Sequence, residues 1–347
     1  MSSAGAYVAA TACLSFRSDC LFAQGTRRQD SIVDAWRGRI RRILVDGRLP
    51  IIDVQATYWH SIDIPTVVGW MEDNAVAQIA FAPNFSLGSS TSLRLHEQYP
   101  EHFIPTTADA SSWHWDQSPQ QFIDTVIAEF KLGDYFLMGE YEIRHYPSPM
   151  QWRAGKMDRD VTIALDSKPV HDLFRFSDQH GVPFLIHYEI EDELLSPLEQ
   201  MLSRYPRARI VWAHVGQVRY PDRAKRYNAA YVQSLIDRFP NLYFDLGSMV
   251  FPGHVYPGSN ARDMILFQYT GLRPYGGHLK REWRDLFETR PDRFLAASDI
   301  DGGRWRQFPM IIDRLRKLIL EELSQGSRHQ IAYRNSWRLI TGEEWRS

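Results

Sequence analysis

Short apolar runs and amphipathic helical segments alternate along nearly the whole chain, and this alternation constrains the fold more than any other feature of the sequence. The runs fall at Pro50–Val54, Ala77–Ala82, Phe103–Pro105, Tyr135–Gly139, Val182–Ile186, Arg209–Ala213, Leu242–Asp245 and Phe294–Ala297. Helix-like segments lie between them at Pro65–Asn74, Ser89–Tyr99, Gln120–Leu132, Pro169–His180, Glu191–Tyr205, Tyr231–Phe239 and Trp283–Thr289, and Met310–Leu323 follows the last run. A strand covered by helices on both faces has no wet side, so it reads as a continuous apolar run rather than an alternating one. Eight such units in about 300 residues are the count for a closed (β/α)8 barrel, a TIM barrel of class α/β. The competing arrangement, an open doubly wound sheet, lacks a G-x-G-x-x-G turn after the first run.

Ahead of the first run, Asp30–Asp46 predicts an extra N-terminal helix, with Ile32, Trp36, Ile40, Ile43 and Leu44 on one face and Gly47 as its stop. Two segments, Arg144–Asp166 and Phe251–Glu282, are longer than plain connections and follow the fourth and seventh runs. In a barrel they would stand on the C-terminal face, where long loops form lids and binding walls. Residues 1–25 stand apart as a leader: Tyr7–Phe16 is an apolar run of signal-peptide length, and Ala23-Gln24-Gly25 offers a small-residue cleavage site. No basic residue precedes that run, and a disordered leader is the alternative. The segment tilts the expected location toward the periplasm or secretion, and the single barrel domain is expected over residues 26–347.

Composition closes several routes. With 40 Lys+Arg against 42 Asp+Glu, the chain has no surplus of positive charge for neutralising a nucleic-acid backbone. No stretch of about 18 apolar residues is present to span a membrane as a helix. The only cysteines, Cys13 and Cys20, exclude a thiolate zinc site, so a metal must be held by His, Asp or Glu. Aromatics make up 13% of the chain, which suits a pocket for a ring-containing small molecule and equally suits a large core.

Barrels of this kind carry their chemistry at the carboxyl ends of the strands. Read outward, the first run ends Asp53-Val54-Gln55-Ala56-Thr57, the fourth ends Gly139-Glu140-Tyr141-Glu142, the fifth reaches His187, the sixth His214 and the eighth Asp299. Glu140, His187 and His214 follow their apolar runs at the same relative place on three successive strands. Neighbouring strands lie about 4.8 Å apart, so the three side chains are expected to converge. Two imidazoles and a carboxylate with an open fourth position form a recurrent catalytic zinc set. Asp299 is then placed to act as a base. Trp59 and Trp113, leaving the first and third strands, are further pocket candidates, as are Arg144, whose fork suits a substrate carboxylate, and Glu189 beyond His187.

The segments IIDVQATYW, FLMGEYE, PFLIHYE, IVWAHVG and RFLAASDID, in this order, resemble the strand ends of the amidohydrolase superfamily, in particular its amidohydrolase-related branch. The tail Gln330-Ile331-Ala332-Tyr333-Arg334-Asn335 resembles the closing helix, and the likeness extends from Leu49 to the C-terminus. It implies a (β/α)8 barrel with one or two divalent metals that hydrolyses amides, lactones or related bonds, or decarboxylates aromatic acids. By position, His187 and His214 match metal-binding histidines, Asp299 matches the aspartate that takes a proton from water, and Glu140 matches a carboxylate ligand of some members. The family's His-x-His on the first strand is replaced here by Gln55 and Thr57, and amide and hydroxyl oxygens are poor zinc ligands. That leaves a single metal, most simply zinc, at Glu140, His187 and His214, with Gln55 left to the substrate. A metal-free lactonase or decarboxylase of the same fold, with His187, His214 and Asp299 as acid and base, and a barrel that only binds a ligand, stay open. Self-association into a homo-oligomer also stays open.

Overall fold

The computed structural model describes residues 29–59, 61–110, 115–249, 257–259, 265–269 and 277–346. The leader and Trp113 lie outside these residues.

Eight parallel strands make a barrel: β1 (Ile51–Tyr58), β2 (Val76–Pro83), β3 (Phe103–Ile104), β4 (Met138–His145), β5 (Pro183–Tyr188), β6 (Arg209–Trp212), β7 (Leu242–Asp245) and β8 (Phe294–Leu295). Ladders join β1 to β2 to β3, and β4 through to β8. Two bridges close the ring. Thr106 pairs with Leu137 between the third and fourth strands, and Ala56 pairs with Ile300 between the first and the last. Val54 N and Thr57 N donate to Ala296 O and Ile300 O across that final seam. The barrel expected from the eight apolar runs is the fold, and Ile51, Val76, Ile79, Phe184, Ile210, Phe244 and Leu295 are fully buried in its core.

Helices of the outer layer begin and end where local chemistry directs. Asp63 Oδ2 accepts from Thr66 N at 3.2 Å to open helix Ile64–Asp73, and Asn228 Oδ1 accepts from Tyr231 N at 3.0 Å to open Ala229–Arg238. Helix Lys168–His180 stops at Gly181, whose φ of +67° is readily reached without a Cβ. The extra N-terminal helix spans residues 29–45. It packs through fully buried Trp36 and Ile40, and Trp36 Nε1 donates to Pro100 O at 2.9 Å. At the other end of the chain the tail clasps β8: Asn335 Nδ2 donates to Phe294 O at 2.7 Å and Ile331 O accepts from Ala296 N. Among the described residues no helix is long and apolar enough to cross a membrane.

Two departures from the sequence expectation matter for the site. The fourth strand does not end at Gly139 but runs on to His145, so Glu140 sits inside a strand. Glu140, Glu142 and His145 of this strand face a cavity instead of helices, which is why the apolar run stops early. The loop after it, 146–166, holds a short helix (Pro149–Arg153) and an antiparallel return, Val161–Thr162, that pairs with His145 and Arg144. After β7, the described part of the long loop contains an antiparallel pair, Phe267–Tyr269 with Gly277–Leu279.

Candidate active site

A cavity of about 790 Å³ opens at the C-terminal ends of the strands. Its floor holds Thr57, Glu140, His187, His214 and Asp299. One wall is basic, with Arg153, Lys156 and Arg159 from the loop after β4 and Arg219 from the loop after β6. Another is apolar, made by Met150, Met249, Ile265, Leu266 and Phe267.

The three side chains expected to converge do so, by a different route from equal placement. In the β4–β5 ladder Glu140 lies opposite Leu185, and it is Glu142 that lies opposite His187. Glu140 therefore reaches up from two residues deeper. His214 stands past the end of β6 with φ +57°, a left-handed backbone that turns its ring inward. Together these place His187 Nδ1 2.9 Å and His214 Nε2 3.3 Å from the same oxygen, Glu140 Oε1. Asp299, also left-handed at φ +54°, brings Oδ1 to 3.8 Å from His214 Nε2. A left-handed non-glycine residue is strained, and such strain collects at functional sites.

Charges in this cluster are strongly coupled through low-dielectric surroundings. Burial disfavours a charged His187, but carboxylates on both ring nitrogens outweigh it and raise its pKa to about 9. Burial likewise opposes ionisation of Glu140, and the hydrogen bonds of the two imidazoles hold it well below the usual carboxylate range. Behind His187, Glu189 is fully buried; the Arg219 charge and the His187 contact overcome desolvation and lower it to about 2. His214 is raised well above the ordinary histidine value: burial opposes this, and the carboxylates of Asp299, Asp245 and Glu140 around the ring prevail.

Several expected pocket residues lie elsewhere. Arg144 does not face the cavity: its guanidinium bonds Asp160 at 2.6 Å and Val161 O at 2.8 Å and covers the Tyr146 ring. A shift of register between Glu142 and Arg144 turns it outward and brings His145 into the wall instead. Glu189 sits behind His187, where His187 and Arg219 both contact Oε1, and is not among the residues that line the cavity. Gln55 is buried between Glu140 and Asp299 beneath the cavity rather than lining it. Trp59 is half-buried near Gly302, outside the lining. Sequence reasoning missed Arg159, Arg219, Arg304 and Ser248. Arg159 Nη2 pairs with Glu142, and Arg304 and the Ser248 hydroxyl both hold Asp299. The readable signal was their position: each follows a strand on the side where the chemistry lies.

Residues 93–340, more than half of the chain, match the family model described as Amidohydrolase. A search of curated protein sequences finds no match. Among solved structures, a 2,6-dihydroxybenzoate decarboxylase complexed with 2,6-dihydroxybenzoate superposes with a TM-score of 0.50 at 11% identity, covering 84% of this chain and 99% of that one. A 2,6-dihydroxybenzoate decarboxylase from Rhizobium gives 0.49 at 12% identity, covering 84% and 98%. An amidohydrolase from Burkholderia multivorans with bound zinc gives 0.48 at 12% identity, covering 84% and 99%. At 11% identity the first of these likenesses is one of fold, and it is the sequence match that decides kinship. The chain belongs to the amidohydrolase family.

Proposed function

We propose that the protein is a hydrolase that cleaves an amide, lactone or related bond of a small, ring-containing substrate, with Glu140, His187 and His214 holding one divalent ion. The convergence of Glu140 Oε1, His187 Nδ1 and His214 Nε2 at the cavity floor carries this reading. Donor atoms around a tetrahedral zinc, at about 2.0–2.1 Å from the metal, stand roughly 3.3–3.4 Å from one another. The 3.3 Å between His214 Nε2 and Glu140 Oε1 matches that spacing, the 2.9 Å between His187 Nδ1 and the same oxygen is a hydrogen bond shorter than it, and two nitrogens with one oxygen suit zinc over magnesium or calcium. When bound, such an ion supplies Lewis acidity toward water and toward a carbonyl oxygen.

The chain's own groups divide the remaining work. Asp299 keeps Oδ2 occupied by Ser248 and near Arg304, and turns Oδ1 toward His214. It takes the proton of the attacking water and returns it to the leaving group. The apolar wall of Met150, Met249, Ile265, Leu266 and Phe267 excludes water and accepts a ring, and the arginine wall orients polar substituents.

His187→Ala is expected to lose the ion and the activity together, whereas Asp299→Asn keeps the ion and loses turnover by about 10²–10⁴-fold. Retention of both ion and turnover in His187→Ala would refute the assignment. One observation favours a second reading, a metal-independent lactonase or decarboxylase: Glu140 bonds both imidazoles directly, so the cluster closes on itself. Equal turnover of metal-stripped and metal-loaded protein selects that reading.

A further inference from the structure

Glu140 divides its two oxygens between two tasks. Oε1 meets the histidines, and Oε2 accepts from Gln55 Nε2 at 2.5 Å. The same Nε2 lies 3.5 Å from Asp299 Oδ1, so one amide nitrogen stands between two carboxylates from opposite sides of the barrel floor. Gln55 Oε1 is buried with no hydrogen-bond partner and packs so close to Gly247 that a Cβ there would come within 2.9 Å of it. Leaving a buried acceptor unpaired is costly, and the contacts of the amide NH2 must offset that cost. Turning the amide over would set its oxygen against Glu140 Oε2, so the carboxylates fix its direction.

We propose that Gln55 is a positioning residue that stands in for a second cation between Glu140 and Asp299 and so limits the site to one divalent ion, an inference that rests on Glu140, His187 and His214 being the ligands of that ion. Two facing carboxylates repel unless something positive lies between them. A carboxamide meets the need with two N–H bonds and no net charge. A cation brought to the same spot would face those protons instead of lone pairs. Glu140 is thereby held with Oε1 toward the histidines, and Asp299 is kept near without being drawn into coordination.

Replacing the amide nitrogen by oxygen reverses this. Gln55→Glu has almost the same shape and surrounds the spot with three carboxylates and His214. The full chain and this variant are loaded with Zn2+, desalted and analysed for metal per chain, with circular dichroism to check folding. One equivalent in the wild type and two in the variant is the expected result. One equivalent in each, with the same Zn2+ affinity, overturns the role of Gln55 and leaves the three-ligand assignment standing. No ion in the wild type overturns the three-ligand assignment itself and the inference with it. Gln55→Ala gives a second readout should the first variant not fold: loss of the donor that orients Glu140 weakens Zn2+ binding by about 10–100-fold, the usual cost of a lost outer hydrogen bond. An unchanged dissociation constant there contradicts the proposal.

Discussion

Glu189 holds His187 from behind: its Oε1 lies 2.9 Å from Nε2, on the ring nitrogen turned away from Glu140, and Arg219 Nε contacts the same oxygen at 2.9 Å. A ligating histidine whose far nitrogen is fixed by a carboxylate keeps one tautomer and one ring orientation, and the carboxylate raises its basicity. Glu189→Gln keeps an acceptor of the same shape but removes the charge. The expected result in a calorimetric Zn2+ titration is affinity lower by about 10–100-fold. Affinity equal to the wild type would show that the contact does not act through His187.

Arg144 is a structural clamp. Its guanidinium ties Asp160, Val161 O and His145 O together, so it pins the return of the loop after β4. Arg144→Ala should cost about 1–3 kcal/mol of unfolding free energy, the range for leaving buried hydrogen-bonding groups unmatched. It should also speed proteolytic cleavage within residues 149–160. Unchanged stability and cleavage, together with a large rise in KM, would return Arg144 to the substrate.

Asp53 makes stability depend on pH. The residue is fully buried at the start of β1, and desolvation raises its pKa to about 7 against the opposing hydrogen bonds of Ser298 and Gln55. In the unfolded chain it titrates near 3.8. Between these values the folded protein binds a proton that the unfolded chain has lost. Its contribution is therefore fully present below about pH 4 and disappears as pH rises through about 7. The ceiling is on the order of 4 kcal/mol at about 1.4 kcal/mol per pH unit. Asp53→Asn keeps Oδ1 as acceptor for Gln55 N and Ser298 N. Urea unfolding from pH 4 to 8 should show a flatter profile in the variant and greater stability at pH 7. Parallel profiles would rule Asp53 out as the source.

The barrel was legible because burial on both faces makes strands plainly apolar, and the seven helical segments between them carry a clear period. The convergence of Glu140, His187 and His214 was legible for the same reason, since parallel strands of one barrel end at one mouth. What escaped was detail set by irregular backbone. The register shift in β4 exchanges Arg144 for His145 at the cavity wall, and period-two counting cannot foresee a bulge. The left-handed turns at His214, Ser248 and Asp299 are tertiary demands placed on residues that carry a Cβ. Glu189 read as a pocket residue because it lies two positions beyond His187, yet the chain carries it behind the ring and onto Arg219.

Elemental analysis of the purified full-length protein tests the central claim most directly. One divalent ion per chain is the expected content after loading with Zn2+, falling to none in His187→Ala, whose circular dichroism stays that of the wild type. A wild-type chain that holds no ion at saturating Zn2+, yet turns over substrate at the same rate with and without chelator, would contradict the account.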